Sequence, residues 1–94
     1  MICCMTLTFS RHAQQRMFER AIGVNAVAQA IRTGETIERQ DRSAPRLPVR
    51  IINARVDGQA LHVVVVDVAD GACLVVTVYE PAAAEWADNF TRRI

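Results

Sequence analysis

The hydrophobic and polar positions of this chain change period once, near residue 35. Before it, from residue 11 to about 21, apolar side chains recur at helical spacing. Ala13, Met17, Phe18 and Ala21 fall on one side, with His12, Arg16 and Arg20 along its border. Ser10 stands where a helix N-cap is expected. Gly23 breaks this helix, and Asn25 is placed to cap a second one whose buried side is Val24, Val27, Ala28 and Ile31. Gly34 suits the left-handed position that often follows a helix end.

After Glu35 the pattern alternates. Residues 35–40 predict a weak strand at a sheet edge, and residues 41–48 (DRSAPRLP) a loop stiffened by two prolines. Stronger strands are expected near 49–56, 60–67 and 72–79. Asp57-Gly58 and Asp70-Gly71 lie between them, and Asp-Gly is a strong hairpin signal. Pro81 ends the last strand and can start a short helix on which Trp86 and Phe90 share a face, plugging an end of the core. Residues 1–9 read as a lead-in, with Met5 an alternative start, and residues 10–94 as a single domain. The expected fold is α+β: two N-terminal helices packed on one face of a four-stranded antiparallel sheet, then a short C-terminal helix.

If both Asp-Gly pairs are two-residue turns, the register follows. The first hairpin sets Asn53 opposite His62 and Arg55 opposite Ala60; the second sets His62 opposite Tyr79 and Val64 opposite Thr77. One face then collects Ile52, Ala54, Val56, Leu61, Val63, Val65, Leu74, Val76 and Val78, an apolar surface for the helices to cover. The other collects Asn53, Arg55, His62, Thr77 and Tyr79 at one end, with Ile51, Val64, Val66, Cys73 and Val75 further along.

Composition narrows the classes. Ninety-four residues allow one modest core, and 51% hydrophobic with 22% charged residues is a globular balance. No apolar run approaches the ~18 residues of a membrane span, and the start MICC has no secretory pattern, so a cytoplasmic protein is expected. The net charge of +1 does not itself call for nucleic acid, but its distribution is uneven. All basic residues are arginine; residues 11–55 hold nine against four acids, while residues 57–90 hold six acids and no base. This segregation predicts either a bipolar surface or self-neutralising ion pairs. Three cysteines, two adjacent, in a chain expected in the cytosol argue against a disulfide framework. No metal-ligand spacing, phosphate loop or nucleophile elbow occurs, so neither metal nor cofactor is expected.

The polar end of the second face carries the candidate chemistry. His62 can move a proton near neutral pH, and Arg55 can grip a phosphate. Tyr79 can stack or donate, while Asn53 and Thr77 can orient a ligand. These are tools for acid–base work on an anionic substrate, and equally the residues of a sheet face that merely stays wet. His12 and Arg16, four apart on the first helix, form a second candidate pair; alternatively His12 bonds the backbone and Arg16 pairs with Glu19 or Glu38. Arg39, Arg42, Arg46 and Arg50 are spaced to track a nucleic-acid backbone or simply to face solvent.

Four segments together resemble a bacterial family, domain-of-unknown-function family 4258. They are Ser10-x-His12-Ala13-x-x-Arg16-Met17-x-x-Arg20-x-Ile22, Ala30-Ile31-x-x-Gly34-Glu35-x-Ile37-Glu38, Leu61-His62-Val63-Val64-Val65, and Thr77-Val78-Tyr79-Glu80-Pro81 with Trp86 and a terminal Phe90-x-x-Arg-Arg. The likeness runs from Thr8 over nearly the whole chain. It implies a distant relation to RelE-like and BrnT-like toxins, small metal-independent ribonucleases. It further implies a RelE-like fold, a type II toxin–antitoxin pair, and RNA (ribosome-bound mRNA among the options) and an antitoxin as partners. The family's recurring polar positions fall here on His12, Arg16, Arg20, His62, Thr77, Tyr79 and Arg92. The chain departs from the pattern in the middle, at Arg39-Gln-Asp-Arg-Ser-Ala-Pro-Arg-Leu-Pro and Asp57-Gly-Gln-Ala, and after Pro81.

Two functions are thus expected as alternatives. In one, His62, Tyr79, His12 and Arg16 carry catalysis while Arg55, Asn53, Thr77, Arg92 and Arg46 bind RNA. In the other, the same face docks a protein or RNA without chemistry. The edge strand at 35–40 also offers a route to a homodimer.

Overall fold

The computed structural model describes Cys4 and residues 6–41, 48–69, 71–82, 86–87 and 92–93. The elements are β1 (Thr6–Phe9), α1 (Arg11–Glu19), α2 (Val24–Thr33), β2 (Glu35–Asp41), β3 (Pro48–Val56), β4 (Gln59–Ala69), β5 (Ala72–Tyr79), β6 (Trp86–Ala87) and β7 (Arg92–Arg93). The class is α+β, but the sheet differs from the expected four-stranded antiparallel one. Five strands lie in the order β1-β5-β4-β3-β2, and β1 runs parallel to β5. Thr6-Leu-Thr-Phe alternates, so Leu7 and Phe9 pack against the core while Thr6 and Thr8 face outward. Four residues are too short a run to announce a strand without its partner. The expected C-terminal helix is also absent among the described residues: Trp86 and Ala87 pair with Arg93 and Arg92 as a small antiparallel ladder. Phe90 lies outside the described residues.

Both helices lie on one face. Ala13 and Met17 of α1, Val27 and Ala30 of α2, and Ile22 between them join Ile52, Ala54, Val56, Leu61, Val63, Val65, Val75 and Val78 in a single core. The helix stripes are narrower than expected. α1 ends at Glu19, and Phe18, about 100° around from Met17, is 88% exposed. Gly23, not Asn25, is the N-cap of α2, which leaves Val24 exposed and makes Ala30 the buried residue of the last turn. Gly34 is not left-handed either: its φ is −81°. A Cβ there would come within 2.5 Å of the Ala30 carbonyl oxygen and 2.7 Å of both the Asn53 oxygen and Ile52 Cγ2. Glycine is needed for close approach of α2 to β3, not for its turn geometry.

The first hairpin is as expected, Val56 facing Gln59 across Asp57 (φ 52°) and Gly58 (φ 81°). In the second, Ala69 faces Ala72, and His62 faces Tyr79, but two bulges intervene. Val68 is extra on β4 and Val76 on β5, so Val65 pairs with Val75 and Asp67 with Cys73. Between them, β5 is shifted by one residue. Val75 and Cys73 therefore point to the helix face, where Leu74 and Val76 were expected.

At that end of the helix face a polar cluster replaces core. Arg50 is 6% exposed and donates from Nε to Asp67 Oδ2 and from Nη2 to Asp67 Oδ1, each at 2.9 Å. It is no part of a solvated arginine track. Beside it, Cys4 and Cys73 are joined in a disulfide with Cα atoms 5.5 Å apart. The odd count argues against a disulfide framework, yet this one bridge forms because β1 and the bulge together deliver both sulfurs to one face. No helix among the described residues is long and apolar enough to cross a membrane.

Candidate functional site

The outer face of β3, β4 and β5 assembles the polar residues in the expected register. Asn53 faces His62, His62 faces Tyr79, Arg55 faces Ala60, and Thr77 faces Val64. On β4 and β5 the register holds because the two bulges, both between Val64 and the turn, lie on opposite strands and cancel before Thr77; strand alternation then puts these residues on one face.

Their exposure differs from a solvated patch. His62 is fully buried, with no accessible surface. Its Nδ1 lies 3.1 Å from the Tyr79 hydroxyl, a hydrogen bond whose direction follows the imidazole tautomer. The Tyr79 ring meets it edge-on with centroids 5.2 Å apart, and Trp86 stands at 88° to it at 4.4 Å. Trp86 is itself 5% exposed, so β6 lays an aromatic lid over the imidazole. Tyr79, Thr77 and Asn53 remain half-buried, and Arg55 is exposed, donating from Nη1 to the Gly58 carbonyl at 3.4 Å. Asn53 and Arg55, with Thr33, Glu35 and Ala60, line a cavity of ≈ 390 Å³ at the strand ends below α2.

The arrangement thus has a buried imidazole at the back, a phenol oxygen bonded to it, and a guanidinium, an amide and a hydroxyl on the same face. Chemically, this set can polarise a phenol and hold an anion; the imidazole itself meets no solvent.

Two of the other expected residues, His12 and Arg16, do not join it. His12 and Arg16 are exposed on α1, which covers the opposite face of the sheet, and Arg16 pairs with Glu19 at 3.6 Å. Arg92 pairs through its backbone with Ala87, next to Trp86. Arg42 and Arg46 lie outside the described residues.

Two features were missed from sequence. Trp86 as the cover of His62 had no local signal, since it depends on how the segment after Pro81 turns back. The Arg50–Asp67 pair did have one. Arg50 is in phase with Ile52, Ala54 and Val56, and Asp67 with Leu61, Val63 and Val65, so opposite charges sit on an otherwise apolar face.

Residues 9–80 match the family model described as a domain of unknown function, DUF4258. No curated protein and no solved structure matches the chain at comparable stringency.

Proposed function

We propose that this chain, which belongs to the DUF4258 family, is a metal-independent endoribonuclease of RelE-like type, the toxin of a type II toxin–antitoxin pair acting in the cytoplasm. The observation that carries this reading is the hydrogen bond between Tyr79 and the buried His62. In RNA cleavage of this class the 2′-hydroxyl attacks the adjacent phosphorus and the 5′-oxygen leaves, producing a 2′,3′-cyclic phosphate. Tyr79 is the group that meets the substrate: its hydroxyl gives its proton to the departing 5′-oxygen and takes back the one released by the attacking 2′-hydroxyl. His62, shut off from solvent, is a positioning residue that fixes and polarises the phenol. Arg55 neutralises charge on the phosphorane, and Asn53 and Thr77 orient the nucleotide. His12 and Arg16, on the far side of the sheet, have no part in the step. RNA is the substrate and an antitoxin protein the partner.

The test is induced expression of wild type, Tyr79→Phe and His62→Ala, following growth and RNA integrity together. Tyr79→Phe, which removes one oxygen, is expected to lower cleavage about 10²–10⁴-fold. RNA decay undiminished by Tyr79→Phe rules out the assignment.

The burial of His62 favours a second reading, in which the face binds RNA or protein without cleaving. Under it, purified wild type leaves RNA intact, Tyr79→Phe binds as wild type does, and Arg55→Ala loses most binding.

A further inference from the structure

We propose that the Cys4–Cys73 bridge is a redox-controlled clasp that a dithiol opens, and that its state decides whether β1 stays docked on β5. The inference does not rest on the ribonuclease reading.

The bridge joins residues 69 apart, linking the segment before β1 to the strand that β1 pairs with. β1 is only four residues long and forms one edge of the sheet. It is tied to β5 by the ladder from Thr6–Ala72 to Phe9–Val75, the Thr6 N–H to the Gly71 carbonyl, a long Thr8 hydroxyl contact with the Cys73 carbonyl at 3.5 Å and, at the end away from the bridge, the Ser10 N–H and hydroxyl on the Val75 and Val76 carbonyls. A short edge strand of this kind depends on whatever pins its end.

The surroundings accommodate both redox states. Arg50 Nη2 lies 3.6 Å from Cys4 Sγ and 3.9 Å from Cys73 Sγ, while Asp67 Oδ1 is 3.4 Å from Cys73 Sγ. In the bridged state, Arg50 and Asp67 neutralise each other and the sulfurs need no partner. In the open state, the Cys73 thiol has a carboxylate oxygen already within reach to accept from it. Reduction therefore leaves no buried polar group without a bond, and the barrier of an unsatisfied reduced state is absent. Asp67 and the two cysteines also form a cluster with metal-ligand atoms within 4.8 Å of one another. Arg50, which occupies both carboxylate oxygens, makes it a poor cation site.

The exchange step has a defined direction. Cys4 is half-buried and Cys73 is 1% exposed, so the thiolate of an incoming dithiol attacks Cys4 Sγ. The Cys4–Cys73 bond breaks, and its electron pair leaves on Cys73 Sγ, beside Arg50. The second thiol of the reductant then displaces Cys4, giving the oxidised cyclic disulfide of the reductant and two protein thiols. Two electrons and two protons pass from the dithiol to the protein. In a reducing compartment, bridges of this kind are transient or redox-sensing.

The test equilibrates the full chain in graded ratios of dithiothreitol to its oxidised form. Alkylation with mass readout follows the bridge, and amide hydrogen exchange follows β1. Opening the bridge is expected to speed β1 exchange about tenfold or more, while the β3–β4 ladder is unchanged. Cys4→Ser is expected to show the fast β1 exchange in every buffer, and Cys3→Ser to behave as wild type. The proposal is overturned if Cys4 and Cys73 are both alkylated in the oxidised buffer, or if Cys3→Ser and not Cys4→Ser abolishes the bridge. It is equally overturned if the bridge opens and β1 exchange stays within about twofold of the oxidised value.

Discussion

The Ser10 hydroxyl donates to the Val76 carbonyl at 2.7 Å while accepting from the Ala13 N–H at 3.0 Å. One side chain thus caps α1 and ties down the bulged residue of β5, and the Ser10 N–H adds a bond to the Val75 carbonyl. The cap sets where the helix begins, and the bulge sets which way Val75 and Cys73 point. Ser10→Ala is expected to cost about 2–3 kcal/mol, more than an ordinary cap, because it removes two bonds at once. Urea unfolding with an unchanged m-value would give the number, and a loss under about 1 kcal/mol would show that the bulge does not need the hydroxyl.

How far the chain could be read follows from where each feature's cause lies. The register of Asn53 and His62 was legible because an Asp-Gly turn and strand alternation are both local, and Tyr79 falls opposite His62 as expected because the two bulges on the second hairpin cancel. The bulges were not legible, since Val68 and Val76 look like their neighbours, and what decides them is the second strand and Ser10. The same holds for β1, whose partner lies more than sixty residues away. For the site, residue identity and shared face were readable. The burial of His62 was not, because it depends on the path that brings Trp86 back over the sheet.

Gly34 offers a separation of two causes. Its φ of −81° is open to any residue, so the obstacle to a side chain is space alone. Gly34→Ala is expected to destabilise by about 2–3 kcal/mol. Gly34→Asn should be no better, although asparagine tolerates the left-handed region; a rescue by asparagine would contradict the structural reason given.

Trp86 should control access to His62. Diethyl pyrocarbonate is expected to modify the exposed His12 and spare His62 in the wild-type protein. Trp86→Ala is expected to cost about 3–5 kcal/mol and to make His62 reactive. Peptide mapping after modification reads both, and a reactive His62 in the wild type would mean that the lid opens unaided.

The Arg50–Asp67 pair should behave as a buried ion pair does. Asp67→Asn or Arg50→Met alone is expected to cost about 3–5 kcal/mol, since each strands a charge. Arg50→Met combined with Asp67→Leu should cost clearly less than the two single changes added. A double-mutant cycle by chemical denaturation measures the difference.

The paired bulges act on the strand as a frameshift and its suppressor act on a message. Val68 puts the β4–β5 pairing out of phase by one, and Val76 restores it before Thr77. Only the stretch from Cys73 to Val75 is read in the shifted frame, so it can be altered as a cassette. The end that holds the cysteine bridge and the end that holds His62 and Tyr79 can therefore diverge by separate mutations on one continuous strand pair.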